Sequence, residues 1–239
     1  MAASSRISGA LGYLLHATPY SESSLVVDLF TREHGRVAAV AKGARRPRSA
    51  LRSVLLQFQP LALSYSGRGE LRTLTGIEWV GGVDSPRGQG LLCAFYLNEL
   101  LIKLLAREDA HPGLFDAYAL ALREMASGTA FDEALRRFEW TLLRETGYAP
   151  DLSCDTAQSP IEDERRYTWQ PGAGFALVAA DAGATGLVHG STLRDIAAGC
   201  YSAQRSRHEA KYLMRSIVGH HLDGSVLKSR QILIDLQNL

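Results

Sequence analysis

Two runs decide the fold of the first third of this chain: Leu25-Val26-Val27-Asp28-Leu29-Phe30 and Arg36-Val37-Ala38-Ala39-Val40-Ala41, separated by the turn-like Glu33-His34-Gly35. Both are rich in β-branched and apolar residues and stand at hairpin spacing, so they predict two paired strands. Leu61-Ala62-Leu63-Ser64-Tyr65 and Leu71-Arg72-Thr73-Leu74-Thr75 form a second pair. Their connection, Gly67-Arg68-Gly69-Glu70, has glycines that permit the positive φ of a hairpin turn. The stretch Ile7–His16 supplies a fifth strand. Five short antiparallel strands over residues 1–80 fit a small closed barrel such as the OB-fold, with a β-sandwich fragment as the plainer alternative.

Beyond residue 80 the pattern changes. Residues 81–90 contain Pro86 and four glycines and read as a linker. Leu91–Arg107 is apolar almost all round and predicts the central helix of a bundle. Leu114–Met125 predicts a second helix, closed by Ser127-Gly128. Phe131–Thr146 predicts a third, with Asp132 and Glu133 in its first turn and Gly147 as C-cap. Residues 150–190 are irregular, although Tyr167-Thr168-Trp169 and Phe175-Ala176-Leu177-Val178 fit a short hairpin. A helix after Thr192, where Thr192 and Asp195 resemble a capping box, and another over Arg205–His221 complete the bundle. The expected class is α+β: a five-stranded OB-fold barrel over 1–80, a linker over 81–90, and an α-helical bundle domain over 91–239 with an insert at about 150–190.

The net charge of +1 hides an asymmetry: residues 1–90 carry +5 and residues 91–239 carry −4. The excess is concentrated in Arg36, Lys42, Arg45, Arg46, Arg48 and Arg52, six cations and no acid in seventeen residues. Gly43, Pro47 and Ser49 make the middle of this segment a loop. An exposed loop with several guanidiniums can follow a phosphate backbone. An ordinary solvated loop would mix signs, and an anionic protein is the competing partner. Tyr13, Tyr20, Phe30, Phe58 and Tyr65 lie near this loop in sequence, and any of them left exposed would stack unpaired bases. In the third helix, Leu135-Arg136-Arg137-Phe138-Glu139-Trp140 sets arginines beside large apolar groups. Read alone, that is an amphipathic helix showing its polar face; an acidic, aromatic-tipped peptide is the sharper alternative. Lys228-Ser229-Arg230 is a short basic cluster that charge alone assigns to surface decoration.

Signatures of catalysis are missing. No GxxxxGK[ST], GxSxG, HExxH or GxGxxG stands in the chain, His220-His221 are adjacent and do not face one site, and no histidine pairs with Cys, Asp or Glu at metal-ligand spacing. No enzyme, cofactor or metal is expected. Cys93, Cys154 and Cys200 are three and far apart, which fits no disulfide framework and suits a reducing cytoplasm. The most apolar run, Leu91–Leu105, is broken by Asn98, Glu99 and Lys103 and is too short to span a membrane.

Arg36-Val37-Ala38-Ala39-Val40-Ala41-Lys42-Gly43-Ala44-Arg45 resembles the "GR-strand-AKGAR" signature of the bacterial recombination mediator family RecO. Ser21-Glu22-Ser23-Ser24-Leu25 with Phe30-Thr31 is similar to its "SE-S-L…FT" approach, and Gly67-Arg68-Gly69-Glu70-Leu71 with Thr73-Leu74 to its hairpin. Tyr96-Leu97-Asn98-Glu99-Leu100 and Arg136-Arg137-Phe138-Glu139 resemble its helical domain, and Leu227-Lys228-Ser229-Arg230 its C-terminal motif. Six motifs in the family's order cover nearly the whole chain.

The resemblance implies an N-terminal OB-fold and a helical domain, binding of single- and double-stranded DNA, and annealing of complementary strands without ATP. It also implies binding of the acidic C-terminal tail of the single-strand binding protein, and action with RecR to load RecA during DNA repair, in the cytoplasm at the nucleoid. It places Arg36, Lys42, Arg45, Arg46, Arg48 and Arg52 on the DNA-binding barrel face, with Lys228 and Arg230 as further contacts. It also puts Arg136 and Arg137 on the helix lining the tail pocket, where an apolar anchor would lie among Leu101, Leu104, Leu105 and Phe138. Some members carry a four-cysteine zinc site; here that region offers only Cys154, with Cys200 well beyond it, so a zinc-free member is expected. The rivals are a protein-only scaffold whose basic loop grips an acidic partner and, more remotely, an undetected hydrolase.

Overall fold

The computed structural model describes residues 6–128, 130–179, 186–222 and 224–237, with side chains to Ile232. The runs at 25–41 form β2 (Leu25–Thr31) and β3 (Gly35–Ala41), antiparallel in unbroken register from Leu25↔Ala41 to Thr31↔Gly35. β1 (Arg6–Pro19) is longer than expected because it serves two partners. It pairs with β2 through its second half and with β4 (Leu61–Ser66) through its first, with register shifts at Ile7/Ala10 and Leu14/His16. Such bulges bend a strand and increase its twist, as closing a small barrel requires. β5 (Leu71–Trp79) lies antiparallel to β4 and closes the ring by pairing with β3, in the order β1-β2-β3-β5-β4. The β3–β5 pairing is parallel, Ala38↔Leu71 to Val40↔Thr73, so the all-antiparallel expectation is corrected at that seam. A long-range parallel pair leaves no turn signal in the sequence. Val27, Leu29, Ala39, Leu61 and Leu63 fill the barrel and are fully buried. Gly12 lies where β1 crosses from β2 to β4, and a Cβ there would meet Leu63 Cδ1 at 2.5 Å. Between β3 and β4, the short α1 (Ala50–Val54) packs Leu51, Val54 and the following Leu55 on the barrel core.

The described chain divides into two compact units: residues 1–129 with 227–239, and residues 130–226. Composition changes from strand to helix at 81–90, and α2 (Gly88–Leu104) begins there, but the compact division falls later. α2, α3 (Pro112–Ser127) and α7 (Lys228–Gln237) belong with the barrel. The reason is a shared core outside the barrel. Tyr13 and Phe30 point away from the barrel axis and meet Phe115 and Tyr118 of α3, with ring centroids 5.1–5.9 Å apart. Asn98 of α2 is 3% exposed; its amide donates to the Leu15 carbonyl at 2.9 Å and its oxygen accepts from the Tyr118 hydroxyl. Arg36 of β3 donates to the Leu101 and Ile102 carbonyls near the C-terminus of α2, a cation at the negative end of a helix. Burial draws the Arg36 guanidinium below its ordinary pKa, against the pull of Asp28, 3.8 Å away. Gly35 has φ +63° and lies under the α2–α3 connection, where a Cβ would fall 1.8 Å from the Asp109 carbonyl oxygen.

α7 was not foreseen. Its first turn is capped from α2: Glu99 accepts from the Lys228 and Ser229 backbone N–H groups, each at 2.9 Å, and from the Ser229 hydroxyl at 2.7 Å. Burial works to raise the Glu99 carboxyl, but these donors and Lys103 outweigh it and hold the group below the ordinary carboxylate range.

The second unit holds α4 (Phe131–Glu145), the sheet β7-β6-β8 (Gly174–Val178, Arg166–Gln170, Leu187–His189), α5 (Gly190–Ala198) and α6 (Gln204–His221). The β6–β7 hairpin matches the one read from Tyr167 and Phe175, and it makes the supposedly irregular insert partly regular. Residues 180–185 of that insert lie outside the described residues. α5 begins at Gly190, so Thr192 is inside the helix and not its cap. Its hydroxyl donates instead to Glu209 Oε2 at 2.6 Å, and Glu209 also binds His189.

Two outcomes test this framework. Asn98→Ala leaves the Leu15 carbonyl and the Tyr118 hydroxyl buried without their partner, and a loss of about 1–3 kcal/mol is expected from the shift in urea midpoint. Glu99→Gln weakens the cap of α7. Because the folded carboxyl is depressed, its contribution is full above the carboxylate range and lost as pH falls through it. Stability curves of wild type and variant should therefore converge in acid and separate toward neutral pH.

Candidate nucleic-acid interface

The basic segment leaves the barrel at the end of β3 as a series of tight turns. Arg46 N–H donates to Gly43 O (3.1 Å), Ser49 N–H to Arg46 O (3.0 Å) and Arg52 N–H to Ser49 O (3.2 Å), and α1 follows. Gly43, with φ +72°, supplies the first reversal. The base of the loop is fixed. Ala44 is 1% exposed within the barrel core, Arg45 N–H donates to Ser23 O at 3.0 Å, and Arg45 Nη1 donates to Ser21 O at 2.6 Å. The loop is thus sewn to the β1–β2 connection at two points, and its cations project from a defined frame.

Lys42, Arg45, Arg46, Arg48 and Arg52 are all exposed, and none makes an ion pair among the described residues. Five cations within eleven residues therefore stand open to an anionic ligand. Arg36 does not join them. Its side chain is 12% exposed and committed to Asp28 and the end of α2, which removes it from the expected DNA-binding set. A charge count cannot see depth: Arg36 lies inside a strand, at a position that faces α2.

The aromatic expectation narrows in the same way. Tyr13, Phe30, Phe58 and Tyr65 are buried at 6% exposure or less and are core residues. Tyr20 alone of the five is exposed, at 61%, and it adjoins Ser21, whose carbonyl holds Arg45. An aromatic face thus stands beside the unpaired cations. Trp79 was not singled out from the sequence; it is 58% exposed at the end of β5, its Nε1 donating to Gln59 Oε1 at 3.2 Å. Its position at a strand end next to Gly81-Gly82 was the available signal. Lys228 is exposed and Arg230 half-buried, both in the first turn of α7.

The residues assigned to a tail pocket fall in different units. In the first, Leu101, Leu104 and Leu105 are buried at 0%, 7% and 3% exposure and offer no open surface. In the second, Phe138 is 1% exposed, and Arg136 is buried and forms a 2.7 Å ion pair with Glu139, one turn on. Beside this pair, burial and then the Glu139 charge push the Tyr201 hydroxyl well above the ordinary tyrosine range. Arg137 is the accessible member, its side chain 32% exposed and 3.7 Å from Glu133. The same helix borders a cavity of about 560 Å³ in the second unit, lined by Trp140, Leu152, Ile161 and Ala197 and flanked by Arg144 and Arg194. Among the described residues no group of three or more His, Cys, Asp or Glu side chains could hold a metal ion, and no helix is long and apolar enough to cross a membrane.

Comparison with known proteins agrees with this architecture. The family described as Recombination protein O N terminal matches residues 9–83, and Recombination protein O C terminal matches residues 87–231. The chain is 48% identical over 235 residues to the DNA repair protein RecO of Ralstonia nicotianae, covering 98% of this chain and 86% of that protein. It is 47% identical over 244 residues to that of Polynucleobacter asymbioticus (99% and 100% covered), and 45% identical over 240 residues to that of Aromatoleum aromaticum (100% of both). A closed five-stranded barrel bearing an unpaired basic loop, continued by helices through both matched segments, therefore identifies this chain as a member of the RecO family of DNA repair proteins.

Proposed function

We propose that this protein is a recombination mediator without catalytic activity: it binds single- and double-stranded DNA, anneals complementary strands, and with RecR helps load RecA on DNA coated by single-strand binding protein. The observation that carries the reading is the loop of five unpaired cations on an OB-like barrel in a member of a DNA repair family. Annealing brings two polyanions together, and a fixed cationic face lowers their repulsion and releases counterions. No chemical step is required, which fits the missing catalytic motifs. Lys42, Arg45, Arg46, Arg48 and Arg52 would take phosphates, Tyr20 would stack a base beside them, and Lys228 and Arg230 would contribute secondary contacts.

The tail of the single-strand binding protein would dock on α4. Arg137, Trp140 and Arg144 recur at helical spacing, the last two bordering the apolar cavity, so an apolar anchor would enter that cavity and its acidic neighbours would meet Arg137 and Arg144. Arg136 supports this arrangement from within, through Glu139.

Two measurements test these assignments. Arg45→Ala, Arg46→Ala and Arg48→Ala combined should flatten the dependence of log K on log salt for a single-stranded oligonucleotide by about 2, at roughly 0.7 per phosphate contact; an unchanged slope would assign the loop to another ligand. For the tail, Arg137→Ala or Arg144→Ala should weaken an acidic, Phe-terminated peptide by about tenfold or more in fluorescence anisotropy while leaving the thermal midpoint unchanged. Arg136→Ala should lower that midpoint by stranding Glu139. Normal peptide binding by both surface variants would move the pocket elsewhere.

A further inference from the structure

The second unit is acidic as a whole, with ten Lys+Arg against thirteen Asp+Glu over residues 130–226, yet α6 departs from this sharply. It carries Arg205, Arg207, Lys211 and Arg215 against a single acid, Glu209. Glu209 is not on the outer surface: its carboxylate is taken by the His189 backbone and ring and by the Thr192 hydroxyl. The outward face of α6 is therefore free of acid. Arg205, His208, Tyr212 and Arg215 follow one another at three- and four-residue steps and stand on one side of the helix, all exposed. His220 prolongs the stripe at its rim, its ring 5.6 Å from that of Trp169. The stripe is about 22 Å long at 1.5 Å per residue.

Three details separate this face from an ordinary solvated one. Solvated helix faces carry both signs at i, i+4 spacing; here the acids near α6 reach only the flanks, Asp132 to Lys211 at 3.5 Å and Glu133 to Arg207 at 3.8 Å. Arg215 makes no ion pair among the described residues, and Arg205 meets only the Ser191 hydroxyl, at 2.9 Å. Tyr212 is 54% exposed and lies against the His208 ring at 4.7 Å between centroids, an aromatic pair set out in water between two guanidiniums. An exposed ring pair flanked by cations suits a chain of phosphates and bases.

We propose that this stripe is a second nucleic-acid surface, in which Arg205 and Arg215 take phosphates of a single strand and Tyr212, backed by His208, stacks an unpaired base. The inference rests on the DNA-binding reading above and adds a contact in the second unit that the basic loop does not supply.

The full chain is titrated with a fluorescein-labelled oligothymidylate, with a duplex of equal length, and with an oligoglutamate peptide. Arg205→Ala with Arg215→Ala should lower the single-strand salt slope by about 1.4, for two contacts at roughly 0.7 each. Tyr212→Ala should weaken the single strand about tenfold and leave the duplex unchanged, and Tyr212→Phe should restore binding because the ring is kept. These positions are exposed, so folding is checked simply by an unchanged thermal midpoint. If single-strand affinity and slope match wild type in both variants, the stripe is not a DNA surface. That result leaves the basic loop standing wherever its own variant still flattens the slope. Loss of oligoglutamate binding with normal oligonucleotide binding also overturns the proposal and marks a protein-docking face. A wild-type chain that binds no oligonucleotide overturns both readings together.

Discussion

The first unit depends on a join that buries polar groups as well as rings. Asn98 stands where the outer face of β1 meets α2 and α3, and it satisfies a strand carbonyl and a tyrosine hydroxyl at once. Without it, either group would be sealed from water unpaired, which is costly in a low-dielectric core. Around it the Tyr13, Phe30, Phe115 and Tyr118 rings supply apolar area and prefer the tilted and edge-on geometries seen here. The join occupies one side of the barrel with helices. The turns after β3 stay uncovered, and the unpaired cations are there.

Much of the fold was legible because it rests on local patterns. The β2–β3 hairpin, the β4–β5 hairpin and the helices α2, α3, α4 and α6 each follow from periodicity and punctuation within a short window. What escaped was set by distant partners. The parallel β3–β5 seam unites segments more than thirty residues apart with no turn between them. α1 has five residues, too few to show a helical period, and was absorbed into the loop. α7 owes its cap to Glu99, well over a hundred residues earlier in the chain.

The candidate site divides along the same line. That residues 42–52 form an exposed basic loop was readable from Gly43, Pro47, the absence of acids and the count of arginines. That Arg36 is spent on Asp28 and on the end of α2 was not, since a strand position gives alternation but not which outer face is covered. Arg136 and Arg137 are neighbours and look equivalent in the sequence. About 100° of rotation around the helix separates their fates: Arg136 meets Glu139 in the interior and Arg137 meets Glu133 at the surface. Residue type suggested the chemistry, and burial decided which of the two can perform it.

The cap that Glu99 provides has a consequence for biosynthesis. The first unit is made of two separate stretches of chain, and the second unit is spelled out between them. As the chain emerges from the ribosome, the barrel and α2 can assemble early, but Glu99 must wait through the synthesis of about a hundred and thirty further residues before Lys228 and Ser229 arrive. Until then its carboxylate faces water at an unfinished edge. The whole of the second unit is thus synthesised before the segment that completes the first.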